Sequence, residues 1–233
     1  MSHKTGGRPS LAAVAGFRLQ GSLNSAFIGA DFVAHVNDER SIGSLDGVKL
    51  SGPSRQVGEM GPAGKTGSAW TLIFLGDVAF LHYEARLARS IYEEAVGVLR
   101  EPGDINFLAY AIRRLGQLLW HEGDNEAAFT LCKESLNLNQ QVGDPRGTIA
   151  CLAGLAAIAA AQGRFERAAK LMAAVDTQLA SIGIRLLFID QLEYARNLAD
   201  LRAKLDEKNF NKFWAKGKRM SLDDAIALAL EKN

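Results

Sequence analysis

From about residue 70 onward, apolar side chains return every three or four positions, as in Leu72, Leu75 and Ala79 or Ile112, Leu115 and Leu119. That is the period of a helix with one buried face. The pattern is itself repeated. Segments 73–96, 113–136 and 153–176 align without a gap, each beginning 40 residues after the last. Leu75, Leu115 and Leu155 share a column, and Gly76, Gly116 and Ala156 share the next. Ala88, Ala128 and Ala168 form a third column, and Ile91, Leu131 and Leu171 a fourth. A large apolar residue followed by Gly or Ala lets a second helix come close, and the later alanine gives that helix a matching small surface. Each unit is therefore predicted to be a helix pair, broken at Gly123 and Gly163, with Tyr83 at that position in the first unit. Tyr92, Cys132 and Met172 then fill the space towards the next unit.

This register resembles the tetratricopeptide repeat family, whose unit is about 34 residues long. The resemblance implies an all-α, helix–turn–helix solenoid over residues 67–182, wound as a right-handed superhelix, with helices longer by about a turn. Beyond it, 186–205 reads as one long amphipathic helix, and 210–217 as a short one presenting Phe210, Phe213 and Trp214 on one side. Ser221 and Asp224 have the spacing of a capping box for a last helix, whose inward stripe is Leu222, Ala225, Ile226 and Ala229. Residues 183–233 are thus expected to cap the C-terminal end.

The stretch 192–231 also resembles the end of large bacterial ATP-dependent transcriptional regulators, the LuxR-type and related signal-transduction ATPases. Phe210, Phe213, Trp214, Ser221, Leu222, Ala225, Ile226 and Leu230 match that family's aromatic segment and final helix. What this implies is a sensory or scaffolding region, not a catalytic one. Residues 1–66 break the pattern: they hold 11 of the 23 glycines, a density that opposes long helices. A poorly ordered leader is expected there. The leader, a partner or a second copy of the chain would then cover the outer face of the first unit.

The leader ends in "GEMGPAGKTG" (58–67), and Gly64-Lys65-Thr66 suggests the end of a phosphate-binding loop. That loop requires a glycine five residues before Gly64, where Glu59 stands instead. Sliding the repeat back by two units, 80 residues, sets Gly67 on Gly147 and Leu72 on Leu152, so Lys65-Thr66-Gly67 is read as the linker into the first helix. A nucleotide binder at 58–67 remains only as an alternative.

The first helices of such a solenoid line a concave groove. By register, the groove stripe is Trp70, Ile73, Asp77 and Phe80 in the first unit and Tyr110, Arg113, Gln117 and Trp120 in the second. Ala150, Ala153, Ala157 and Ala160 occupy it in the third, where they would admit a closely packed helix such as the chain's own cap. Aromatic residues beside a cation suit a protein or peptide partner. Arg113 requires either solvent or an anionic partner. On the solvent-facing reading, Arg113→Glu would weaken partner capture without lowering the melting temperature.

Composition excludes much else. The formal net charge is +1, which argues against bulk nucleic acid or an anionic membrane as the main partner. The cluster Lys212, Lys216, Lys218 and Arg219 leaves a weak nucleic-acid contact as a second alternative. Histidines 3, 35, 82 and 121 have no metal-ligand or HExxH spacing, and no GxSxG turn occurs. No catalytic residue, metal or cofactor is expected. The apolar stretch 149–161 is too short to cross a bilayer, and no signal-peptide core follows the first residues. Two cysteines without a CxxC motif suggest reduced thiols in a cytoplasmic protein.

Overall fold

The computed structural model describes residues 62–101 and 104–231, and every regular element among them is a helix. In chain order these are α1 (Pro62–Leu81), α2 (Ala85–Arg100), α3 (Ile105–His121), α4 (Asn125–Val142), α5 (Pro145–Ala161), α6 (Phe165–Ile182), α7 (Phe188–Lys204), α8 (Glu207–Gly217) and α9 (Leu222–Leu230). The leader expected over 1–66 lies outside the described residues as far as position 61. From Pro62 the chain is already helical, so Lys65-Thr66-Gly67 falls inside α1 instead of forming a linker. Proline fits the first turn, where its missing N–H has no partner to lose.

Helices α1–α6 form three antiparallel pairs, and the second helix of each of the first two packs on the first helix of the next. This is the tetratricopeptide-like solenoid that the 40-residue register implies. Aspartates 104, 124 and 144 start α3, α4 and α5, each accepting a hydrogen bond from a backbone N–H of the first turn. The glycine column does what its chemistry suggests. A Cβ on Gly76 would lie 2.5 Å from the ring of Tyr92, and one on Gly116 would lie 3.2 Å from Cβ of Leu131. Tyr92, Cys132 and Met172, the residues expected to fill the joints, are all buried.

The stacking rule stops after α6. There α8 packs on α6, with Gly217 so close that a Cβ would meet the Lys170 carbonyl oxygen at 2.2 Å. Phe210 is buried and stacks on Trp214 at 5.1 Å between ring centroids. Helix α9 adds the buried Ala225 and Ala229, and its capping box is present, with Ser221 and Asp224 each accepting from the other's backbone N–H. Helix α7 is different: it touches α5 and α6 and meets α8 through Arg202, whose guanidinium lies over the Phe210 ring at 4.8 Å. At the opposite end Phe74 and Val78 of α1 are exposed, whereas Leu118 and Ile158, one and two units on from Val78, are buried.

The turn inside each unit shows a local conflict. Gly123 and Gly163 have φ of 91° and 77°, and Tyr83 in the same column has φ of 62°. A side chain in the left-handed region costs roughly 1–2 kcal/mol. Tyr83 is 67% exposed, so little packing offsets that cost. Tyr83→Gly should stabilise the fold by up to about 1 kcal/mol once the extra chain entropy of glycine is subtracted. A thermal melt would show a rise of roughly 2–4 °C, and a lower melting temperature would refute the assignment of strain.

Candidate functional site

The groove side of α1, α3 and α7 holds a connected set of charged and hydroxyl groups. At its centre is Arg114, with 1% of its surface exposed. Its Nε donates to Oδ1 of Asp77 on α1 at 2.7 Å, and its other nitrogens donate to Gln117 Oε1 and, at 3.3 Å, to the hydroxyl of Tyr92 on α2. Asp77 also accepts from Tyr92 at 2.6 Å and from Tyr110 on α3 at 3.1 Å. The guanidinium lies over the Phe80 ring at 5.0 Å. Burial works against the Arg114 charge, but Tyr92 and Asp77 outweigh it and the proton is held more firmly than on a free arginine. Burial likewise raises the Tyr92 and Tyr110 hydroxyls, which stay neutral donors.

Beside it, Arg113 makes a two-pronged pair with Asp190 of α7, one prong Nη2 to Oδ2 at 3.0 Å. Arg113 is 5% exposed, and its Nε is buried without an acceptor among the described residues. Burial disfavours its charge, and Asp190 more than restores it. One turn along α7, Glu193 meets Nε2 of His121 at 2.7 Å and Arg196 at 2.8 Å. Burial alone would raise the Glu193 carboxyl, but the hydrogen bond and charge of His121, with Arg196 and Arg114, bring it below the ordinary value. The first turn of α7 is thus bound across the third unit to α3 in the second.

The structure places the predicted stripe as follows. Trp70 packs on Phe107 at 4.6 Å and faces Tyr110 at 6.1 Å. Ile73 is buried core. Asp77 and Gln117 both bind Arg114, and Phe80 and Trp120 each pack edge-on against His121. Arg113, expected to need solvent or an anion, has an anion from its own chain. The expectation that Arg113→Glu spares stability is therefore corrected, because the new carboxylate would be buried against Asp190. The alanine stripe does admit a helix of the same chain, namely α7.

Arg114, Asp190, Glu193 and the Tyr92 hydroxyl were not among the predicted residues. Arg114 shares its column with Phe74 and Gly154, so the repeat carried no hint of it. Asp190 and Glu193 were findable: one further step of 40 residues from Ala150 and Ala153 lands on them.

Two cavities border this network. One of ≈ 40 Å³ lies beneath α7, lined by Arg113, Trp120, Ala153, Ala157 and Glu193 among others. The second, ≈ 140 Å³, lies between α1, α3 and the start of α5, with Trp70, Phe107, Tyr110, Asn106 and Arg146 in its walls. Away from the groove, Lys216 of the C-terminal basic cluster faces Glu166 at 3.5 Å, so that face is not uniformly cationic. Both thiols are free and buried; burial pushes Cys132 up to about 12 and raises Cys151 too, leaving them unreactive thiols.

A tetratricopeptide repeat family model matches residues 107–174, the span from α3 into α6. Such repeats generally mediate protein–protein interaction. No curated protein matches the chain. No helix among the described residues is long and apolar enough to cross a membrane.

Two measurements probe the network. Asp77→Ala orphans Arg114 and two tyrosine hydroxyls and should cost about 3–5 kcal/mol in denaturant unfolding. Adding Arg114→Met should restore part of that loss by removing the uncompensated charge, and simple additivity would refute the coupling. Glu193 has a lowered folded pKa, so its contribution is complete above its ordinary value of 4.5 and is lost as pH falls through the lower folded value. Glu193→Gln should therefore lose stability above pH 4.5 and show a flatter acid limb. An unchanged acid limb would contradict the pairing.

Proposed function

We propose that the chain is a non-catalytic protein-interaction module, the sensory or scaffolding part of a bacterial signalling or transcription regulator, which holds a protein or peptide segment in its groove. The observation that carries this reading is the cavity of ≈ 140 Å³ between α1, α3, the start of α5 and the start of α7. Trp70, Phe107 and Tyr110 give it aromatic walls, and Arg146 has no ion-pair partner among the described residues. Aromatic and arginine side chains around a pocket are the usual anchors of a protein interface. The buried carboxylates support a non-catalytic reading as well, since Asp77 and Asp190 are each engaged by a guanidinium group of the same chain. The regulator role is supported by the likeness of residues 192–231 to the ends of ATP-dependent transcription regulators, and a cytoplasmic location by two free buried thiols.

Arg146 is exposed at the second position of α5, so its substitution should leave folding intact. Immobilised full chain should retain from a bacterial lysate a set of proteins, identified by mass spectrometry, that Arg146→Glu and Trp70→Ser both fail to retain. The same set on all three baits, at matched melting temperatures for the wild type and Arg146→Glu, would overturn the assignment of the pocket.

A further inference from the structure

We infer that α7 occupies the groove as an intramolecular stand-in, and that the partner segment is an acidic helix with carboxylates at positions i and i+3. That helix takes the place of α7 on Arg113, Arg114 and His121. The inference rests on the groove being a protein-binding surface and names the chemistry that surface selects.

The first argument is charge. Within the groove, Arg113 and Arg114 face one carboxylate of the helix pairs, Asp77, leaving one uncompensated positive charge beside His121. The carboxylate that meets it, Asp190, comes from α7, and so does Glu193. Two buried cations side by side require an anion there, whichever helix brings it. Arg113 Nε, buried and without an acceptor, offers a further donor that Asp190 leaves unused. Aspartate and glutamate three residues apart lie on one face of a helix, so α7 shows the ligand pattern directly.

The second argument is how few apolar side chains hold the first turns of α7. Its later turns are fixed by Tyr194 donating to the Met172 carbonyl and Asp176 and by the buried Leu201. Four of its residues are buried, Ile189, Asp190, Glu193 and Leu201, and two of these are the carboxylates. Helix α5, of the same length, buries ten. The residue before α7 is Leu187, which provides no side-chain cap. Phe188 is 64% exposed. Beneath α7 the groove floor is glycine and alanine, Gly116, Ala150, Ala153, Gly154 and Ala157, and the ≈ 40 Å³ cavity there is room for water rather than packed contact.

The third argument is that α8 and α9 have their own anchorage on α6, apart from the first turns of α7. Helices α8 and α9 dock on α6 through Gly217 and Ala225, and α7 reaches α8 through Arg202, whose guanidinium lies over the Phe210 ring at 4.8 Å. When the first turns of α7 leave the groove, α8 and α9 still cover α6 at Gly217 and Ala225.

A labelled peptide of residues 186–204, and the same peptide with Asp190→Asn and Glu193→Gln, tests this against the full chain. By fluorescence anisotropy the acidic peptide should bind, and the amide peptide should not. Weakening the internal occupant in the full chain with Asp190→Asn/Glu193→Gln should tighten binding of the acidic peptide about tenfold or more, because the competent open state becomes more populated. If that variant fails to fold, hydrogen exchange on the wild-type chain decides the matter. Excess acidic peptide should speed exchange at 188–204 and leave 207–217 and 222–230 unchanged. Equal binding of both peptides, no binding of either, or unchanged exchange in α7 would overturn the inference. Loss of retention in Arg146→Glu alongside those negative results would leave the groove as an interaction surface and sink only the acidic-helix proposal.

Discussion

A guanidinium sealed between two helix pairs has to be met by acceptors from both. Arg114 imposes that condition here. Asp77 of α1 and Tyr92 of α2 come to it from one unit, and Gln117 of its own helix from the other. None of the three can move far without leaving a charge in a region water does not reach. The joint between the first two units is therefore fixed in register as well as in distance. An apolar joint tolerates sliding more readily, because dispersion has little directional preference. The next joint is of that kind, built from Leu136, Ile149 and Leu152 with the Cys132 and Cys151 thiols. The polar contacts across it are neutral, as in the Cys151 thiol donating to the Ser135 hydroxyl at 3.3 Å.

Arg113 passes the same demand in the other direction. Its neighbours in the helix pairs leave it without a counterion, and α7 answers. The two adjacent arginines thus divide the labour: one locks the first two units together, and the other draws a later helix across the third unit onto the second. The consequence is a groove crossed by α7, with one cavity beneath that helix and a larger one beside its start.

The helix pairs were legible because small and large residues recur in columns, and a column is a statement about where helices cross. Leu75–Gly76 and Ala88 say this without any knowledge of the rest. The capping box at Ser221 and the aromatic side of α8 were legible for similarly local reasons. The polar network was less so. Arg114 interrupts a column whose other members are Phe74 and Gly154, and the hydroxyl of Tyr92 looked like filler beside Cys132 and Met172. What escaped the repeat is what makes one joint unlike the next. The start of α1 differs from the sequence reading because the repeat register makes Lys65-Thr66-Gly67 a linker, whereas Pro62 opens a helix that includes them. Leu187, which caps nothing, gave no signal that α7 would leave the stack.

The bare side of α1 has one more implication. Between Thr66 and Leu81 the only charged side chain is Asp77, which is buried. The positions of Phe74 and Val78 are those that later units press against their predecessor. The array is consequently directional. At its far end α8 and α9 seal the last rung, whereas at its near end, among the described residues, no further helix pair covers Phe74 and Val78.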